Sequence, residues 1–274
     1  MTTSSRFITV PSENSGRTIN DITYLKDSVR LKVADKVFNL THEAFTDHYL
    51  YIGKELTPTE LGAIDDASSL YKHEKYAFRL LAKGLYTTAQ VKTKLYAREA
   101  KGWMVRAIID KLNQSRLIND ELFISERLEY GHARNEGFYR IIEDLRQKGI
   151  DETKLAEIHY DDEQELQKAS ALYPRVWEAQ KRKSRRAGVQ AVYEWYFRHG
   201  FPDVIIHKMV TKAEGEESDD RPRLRQDYET AKRKYGLKYK GKALRERMIG
   251  YLRQKGYNYG DIVVIMGEQE HDMD

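Results

Sequence analysis

The chain has 274 residues, of which 33% are charged, with no cysteine and a formal net charge of +4. This length allows at least one sizeable core and leaves room for several domains. The absence of cysteine excludes disulfides and zinc sites with thiolate ligands. There is no apolar run near the length of a membrane span and no signal-peptide core, so we expect a cytoplasmic protein without membrane contact.

Charge is unevenly distributed along the chain. Residues 174–212 carry an excess of six positive charges, and residues 221–256 an excess of ten. The segment between them is acidic through Glu214, Glu216, Glu217, Asp219 and Asp220. The tail 261–274 is acidic through Asp261, Glu268, Glu270, Asp272 and Asp274. Basic surfaces of this size attract phosphates or an acidic protein, although each basic run could also be a solvated helical face.

The first sixty residues have the pattern of a small β structure. Apolar and basic residues alternate over 29–33, the period of a half-buried strand, and a turn and a partner strand over 37–40 follow. Thr57 and Glu60 then predict a helix start with a capping box. We therefore assign residues 1–62 to a small β-containing N-terminal extension.

Beyond this extension, helical patterns dominate. Apolar residues recur at intervals of three and four positions over 105–112, 138–145, 189–197 and 244–252. The whole chain holds five prolines. The predicted fold class is mainly α.

The pentapeptide LRQKG occurs at 145–149 and again at 252–256. In both copies the glycine stands where a helix should end, because glycine tolerates the left-handed conformation that follows many helices. The fourth residue before the glycine and the residue after it are apolar, and a Schellman ending usually brings these two positions into contact. The residues that define this ending are Leu145, Gly149 and Ile150 in one copy and Leu252, Gly256 and Tyr257 in the other.

Two further glycines extend the series. Gly200 lies between Tyr196 and Phe201, whereas Gly102 is the weakest candidate because Arg98 takes the apolar position before it. The four glycines are 47, 51 and 56 residues apart, the spacing of a tandem three-helix repeat. The alternative is one irregular helical domain with coincidental glycine caps. The predicted repeats cover residues 63–115, 116–164, 165–213 and 221–268, in an elongated curved array.

Sites for catalysis or metal binding are not apparent. GLKYKGKA at 236–243 has phosphate-loop spacing, but Ala243 stands where Ser or Thr would hold Mg²⁺. His42 and His48 are six positions apart, which does not place them on one helical face. We expect no catalytic residue, no metal and no cofactor.

Two basic clusters remain as candidate contact sites. The first is predicted to lie at the end of a helix of the third repeat, and the second at the equivalent place in the fourth. The 181–186 cluster consists of Lys181, Arg182, Lys183, Arg185 and Arg186. The 232–240 cluster consists of Lys232, Arg233, Lys234, Lys238 and Lys240.

The stretch 116–151 resembles the RecX family, regulators of the RecA recombinase. The matching positions are Leu117, Ile118, Asp120, Phe123, Gly137, Arg140, Ile141, Asp144, Leu145, Lys148, Gly149 and Ile150. The resemblance covers roughly 70–268 and looks like the longer form of the family, with an N-terminal extension. It implies the same curved array of three-helix units that the glycine spacing predicts.

The resemblance also implies a function. A RecX-like protein binds along the groove of RecA filaments on single-stranded DNA and restrains ATP hydrolysis, strand exchange and co-protease activity. Such a role belongs to DNA repair, homologous recombination and the SOS response, and we expect a monomer with possible direct DNA contact. Two alternatives stay open: a helical repeat module that binds nucleic acid without RecA, and an inert helical scaffold for another partner.

Overall fold

The computed structural model describes residues 17–216 and 219–271. The fold is mainly α with a small antiparallel sheet near the N-terminus, which confirms the predicted fold class. The chain divides into two compact units, Met1–Phe123 and Ile124–Asp274.

The sheet has three strands in the order β1-β2-β3: β1 (Ile19–Tyr24), β2 (Val29–Val33) and β3 (Lys36–Leu40). Burial alternates strictly along β2, as the sequence pattern predicted. β1 escaped prediction because Ile19 is its single buried residue, so the strand carries no alternating pattern.

The helix start at Thr57 is confirmed. Thr57 donates its backbone N–H to the Glu60 carboxylate (2.8 Å), and its hydroxyl accepts from the backbone N–H of Glu60 (3.2 Å). The short α1 (His42–Asp47) precedes this start, and α2 (Pro58–Leu81) follows it. The predicted boundary after residue 62 is therefore wrong, because it cuts the first turns of α2. The single helix α2 belongs to both the β-containing extension and the helical part: Ile64 packs against the sheet, and Leu80 lies in the core of the helical part.

From α2 onward the helices follow one another in groups of three. The first group is α2, α3 (Thr88–Tyr96) and α4 (Gly102–Gln114), and the second is α5 (Asp120–Ala133), α6 (Phe138–Gln147) and α7 (Glu152–Ala156). The third is α8 (Asp162–Glu178), α9 (Arg185–Arg198) and α10 (Asp203–Gly215), and the fourth is α11 (Arg221–Gly236), α12 (Gly241–Gln254) and α13 (Tyr259–His271). The predicted boundary after residue 164 is also wrong, because the Asp161 side chain caps α8 by accepting from the backbone N–H of Gln164.

The second helix of the last three groups ends in a glycine turn. Gly149, Gly200 and Gly256 have φ values of 79°, 75° and 95°. In each turn the N–H of the next residue donates to the carbonyl four residues before the glycine, at 3.2, 3.1 and 3.2 Å. These bonded pairs, none more than 5% exposed, are Leu145 with Ile150, Tyr196 with Phe201, and Leu252 with Tyr257. All three turns are Schellman endings.

The prediction for Gly102 is wrong. In the first group Glu99 takes the left-handed conformation (φ 64°), and the N–H of Ala100 donates to the Leu95 carbonyl (3.2 Å). Gly102 instead begins α4. The physical reason is burial: Leu95 and Ala100 form the apolar pair of this ending, whereas Arg98 is exposed. The corresponding positions of the four groups are then 50, 51 and 56 residues apart.

The glycine turns of the third and fourth groups also lie against the preceding group. The backbone N–H of Tyr139, at the start of α6, donates to the Gly200 carbonyl (2.8 Å). A Cβ on Gly200 would lie 2.2 Å from the backbone nitrogen of Arg140. In the same way, Ser184 donates its hydroxyl to the carbonyl that precedes Gly256 (2.7 Å). These glycines are therefore needed both for their φ values and for the close approach of a neighbouring helix start.

Candidate partner-binding surface

The 181–186 cluster follows the end of α8 and runs into the start of α9. α8 ends at Glu178, and Ser184 is the N-cap of α9, with its hydroxyl accepting from the Ala187 N–H. Arg185 and Arg186 therefore occupy the first turn of α9. All five basic residues of the cluster are exposed, which makes them available for contact.

The acidic segment that follows α10 engages this cluster. The backbone N–H of Arg185 donates to both carboxylate oxygens of Asp220, at 3.0 Å each. The Arg185 guanidinium donates to the Glu214 carbonyl, and Arg223 joins the Lys183 carbonyl (3.2 Å) to Asp220 (2.8 Å). The chain therefore binds part of its own basic cluster with its own acidic residues, of which Glu217 lies outside the described residues.

The 232–240 cluster lies at the C-terminal end of α11 and in the connection to α12. Lys234 stands over the rings of Tyr235 (5.2 Å) and Tyr251 (5.1 Å), within the range of cation–π attraction. Arg233, Lys238 and Lys240 are exposed. Tyrosines beside basic residues are common at protein interfaces.

Both clusters lie at the connection between the first and second helices of their groups, 181–186 between α8 and α9 and 232–240 between α11 and α12. The 181–186 cluster lies at the N-terminal end of α11, where Arg223 bonds it, and the 232–240 cluster begins at the other end. The helical rise from Arg223 to Arg233 is about 15 Å. The structure therefore presents two basic sites and not one continuous patch.

Two clefts open where consecutive groups of the second unit meet, and the sequence did not predict either. The 3–4 cleft, of about 840 Å³, is lined by Arg185, Arg186 and Arg253 together with Glu214 and Asp220. The 2–3 cleft, of about 490 Å³, is lined by basic, apolar and aromatic side chains, among them Arg134, Arg140, Arg175, Leu172, Val176, Trp195 and His199. One signal was present in the sequence: Trp195 and His199 are four residues apart, and their rings stack with centroids 3.7 Å apart.

A buried ion pair stands beside the 2–3 cleft. Lys168 bonds the Glu165 carboxylate, the Glu136 carbonyl (2.8 Å) and Nδ1 of His132 (3.3 Å). The other Glu165 oxygen accepts from the Phe138 N–H (3.4 Å). Burial raises the pKa of Glu165, and the Lys168 ammonium opposes this shift. Burial and the Lys168 charge lower the pKa of His132. This network joins α8 to both ends of the α5–α6 connection.

Among the described residues, no group of three or more His, Asp or Glu side chains is arranged to hold a metal ion. None of the helices that the structure describes is long and apolar enough to cross a membrane. The features with chemical character in the second unit are thus the two basic clusters and the two clefts.

Comparison with known proteins finds relatives that span most of the chain. Regulatory protein RecX of Oceanobacillus iheyensis is 21% identical over 230 residues, which cover 81% of this chain and 84% of that protein. Regulatory protein RecX of Listeria monocytogenes is 22% identical, covering 85% and 88%. The corresponding protein of Streptococcus sanguinis is 24% identical, covering 88% and 94%. No family model matches the chain.

Solved structures agree in fold. A crystal structure described as regulatory protein RecX aligns with a TM-score of 0.60 and 21% identity, covering 71% of this chain and 98% of that one. The structure of RecX from Lactobacillus salivarius aligns with a TM-score of 0.50 and 23% identity, covering 54% and 98%. Together with the sequence relatives, these structures confirm the resemblance to the RecX family.

Proposed function

We propose that the chain is a non-enzymatic regulator that binds a RecA-type recombinase and its filaments on single-stranded DNA. The observation that carries this proposal is the extent of the likeness to proteins named regulatory protein RecX, between 81% and 88% of the chain in the three relatives described. Its place is the cytoplasm, in DNA repair, homologous recombination and the SOS response.

The proposed action is mainly inhibitory. The regulator restrains ATP hydrolysis, strand exchange and co-protease activity by contacting the filament, with the 181–186 and 232–240 clusters as contact sites. Because α11 separates these clusters by about 15 Å, they reach two places on the partner. Once one cluster has bound, the effective concentration of the other cluster at its own site on the partner is raised.

We also propose that the four helical groups are repeats of one three-helix unit. The equivalent endings at Leu95, Leu145, Tyr196 and Leu252 support this division. The N-terminal extension then ends before the α2 cap, at Leu56, and the third repeat begins at the α8 cap, Asp161.

The test is the steady-state ATP hydrolysis of RecA from the same organism on single-stranded DNA, titrated with this protein. We expect inhibition at well below one molecule per RecA protomer, because a bound regulator acts on more of the filament than the protomer it touches. Unchanged hydrolysis at equimolar protein would remove the proposal.

A second candidate function is nucleic-acid binding without RecA, favoured by the three arginines of the 3–4 cleft. Binding of a labelled oligonucleotide by the chain alone should then weaken steeply as log[salt] rises, because phosphate contacts release counterions. A salt-independent affinity, or no binding, excludes this function.

A further inference from the structure

We propose that the 2–3 cleft binds an acidic segment of a partner protein through Arg140 and Arg175. This inference goes beyond the proposed function, because the ligand is defined by the chemistry of the cleft and can be tested without a filament.

The two clefts of the second unit have equivalent positions in the fold. In the 2–3 cleft, the first turn of α6 meets the glycine turn that ends α9, and a Cβ on Gly200 would lie 2.2 Å from the backbone nitrogen of Arg140. In the 3–4 cleft, the first turn of α9 meets the glycine turn that ends α12, and a Cβ on Gly256 would lie 3.3 Å from the backbone nitrogen of Ala187. Arg140 and Ala187 are each the third residue of their helix. What one cleft binds is therefore informative about the other.

The 3–4 cleft already holds an acidic segment, supplied by the chain itself. Glu214 and Asp220 line it together with three arginines. The Asp220 carboxylate accepts from the backbone N–H of Arg185 and from the Arg223 guanidinium, while the Glu214 carbonyl accepts from the Arg185 guanidinium. The 3–4 cleft therefore accommodates an acidic segment, with one carboxylate held by a backbone N–H and one carbonyl held by a cleft arginine.

In the 2–3 cleft the acid at the place of Asp220 is Glu165, whose carboxylate accepts from the Phe138 N–H and pairs with Lys168, not with an arginine of the cleft. Arg140 and Arg175 are exposed and form no ion pair with any residue in 17–216 or 219–271. Glu136 is the acidic residue that lines the cleft, but its carboxylate is bound by Arg127 at 2.6 Å and lies 3.9 Å from Arg134. Guanidinium groups bind carboxylates through paired, charge-assisted hydrogen bonds. The cleft is therefore complementary in charge to an acidic segment.

The apolar part of the lining favours a peptide over a nucleic-acid strand. Leu172 and Val176 are close to Arg175 on α8 and add aliphatic side chains to the cleft. The Trp195 ring is already stacked on His199 at 3.7 Å and met edge to face by Tyr196 at 5.0 Å. An indole with these two neighbours serves as an apolar wall better than as an open platform for a base, which is what single-strand binding uses. The ligand is accordingly an acidic segment that also carries an apolar or small side chain.

The probe is a fluorescein-labelled peptide with the sequence AEGEESDD, which the chain itself carries at 213–220. Its counterpart AQGQQSNN has the same length and no acidic side chain. We expect saturable binding of the acidic peptide by fluorescence anisotropy, at least tenfold tighter than that of the neutral one. The full chain with Arg140→Gln and Arg175→Gln should bind the acidic peptide at least tenfold more weakly than the unchanged chain.

Matched variants assign the effect to this cleft. Arg106→Gln with Arg198→Gln removes the same charge from exposed positions that line neither cleft, and Arg186→Gln tests the 3–4 cleft. Both should retain the affinity of the unchanged chain within twofold, and thermal unfolding confirms that each variant is folded. Equal binding of the two peptides, no saturation up to about millimolar chain, or a loss that follows Arg186→Gln overturns the proposal. The proposal is also overturned if the chain binds an oligothymidylate through Arg140 and Arg175 and does not bind the peptide.

Discussion

The carboxylate of Asp220 accepts the backbone N–H of Arg185, 35 residues earlier, with both N···O distances 3.0 Å. The same relationship recurs in the preceding groups, where Glu165 accepts from the N–H of Phe138 (3.4 Å) and Asp120 from that of Thr88 (2.8 Å). In each case the acid stands at the start of one group and the N–H at the start of the second helix of the group before it. The first N–H groups of a helix have no partner within that helix, and in each case the acid that begins the next group caps one of them.

Asp220→Ala should lower the free energy of unfolding by about 1–2 kcal/mol, because it removes a helix cap and a charge-assisted hydrogen bond. Urea denaturation followed by circular dichroism measures the change. Glu229→Ala, at an exposed position of α11, is the control and should change stability little. Equal stability of the two variants would mean that Asp220 has no capping role.

Gly200→Ala and Gly102→Ala should have opposite effects. At Gly200 a Cβ would lie 2.2 Å from the backbone of Arg140 and φ is 75°, so we expect a loss of more than about 2 kcal/mol. At Gly102 an added Cβ would have no neighbouring atom within 4 Å, and the residue begins a helix. Alanine should therefore leave the free energy of unfolding unchanged or raise it by up to about 1 kcal/mol. Thermal and chemical unfolding of both variants measure the two changes. A large loss of stability in Gly102→Ala would support the original prediction that Gly102 is the turn residue.

Lys168→Met should cost about 3–5 kcal/mol, because it leaves the Glu165 carboxylate buried without its counter-charge. Adding Glu165→Gln removes that charge, so the double variant should be more stable than the single one. With its pKa raised by burial, Glu165 holds its proton more tightly in the folded chain than in the unfolded one. Stability of Lys168→Met should therefore fall as the pH rises above about 4.5, in a urea titration at several pH values. A single variant as stable as the double one would contradict this.

Acid should weaken the fold through two histidines. Burial, with Lys168 next, lowers the pKa of His132 from 6.5, and burial, with Lys72 and Arg98 next, lowers the pKa of His73. A lowered pKa means that the unfolded chain binds the proton more readily, so the contribution is present above about pH 6.5 and is lost as the pH falls. His132→Gln and His73→Gln should each flatten the stability profile between about pH 5 and 7. If the dependence of stability on pH stays unchanged in both variants, these histidines do not cause the loss of stability in acid.

Charge reversal of Lys181, Arg182 and Lys183 to Glu should raise the concentration needed to inhibit RecA ATP hydrolysis by roughly tenfold or more, because cationic contacts become repulsive. The control reverses Lys83, Lys92 and Arg106, which are exposed in the first unit and change the net charge equally. Equal loss of inhibition in both variants would show that net charge acts and not the 181–186 cluster.

Most of the fold could be predicted from local sequence patterns. Leu145 with Ile150, and Leu252 with Tyr257, were predicted as helix endings because a Schellman turn depends on residues within six positions of one another. The capping box at Thr57 and the strand over 29–33 were predictable for the same reason. The prediction for Gly102 was wrong because a residue other than glycine, Glu99, takes the left-handed conformation. Burial of Leu95 and Ala100 sets that register, and it depends on side chains elsewhere in the first group's core.

The candidate site was decided by contacts between distant residues. The sequence by itself determined a mainly α chain, its glycine turns, its basic clusters and its resemblance to RecX, because each is written within a short window of residues. The tertiary structure alone decided that Asp220 binds the start of α9, that the two clusters lie at opposite ends of α11, and that Arg140 and Arg175 share a cleft with Trp195. Those residues are 20 or more positions apart in sequence, and only the packing of one helical group on the next brings them together.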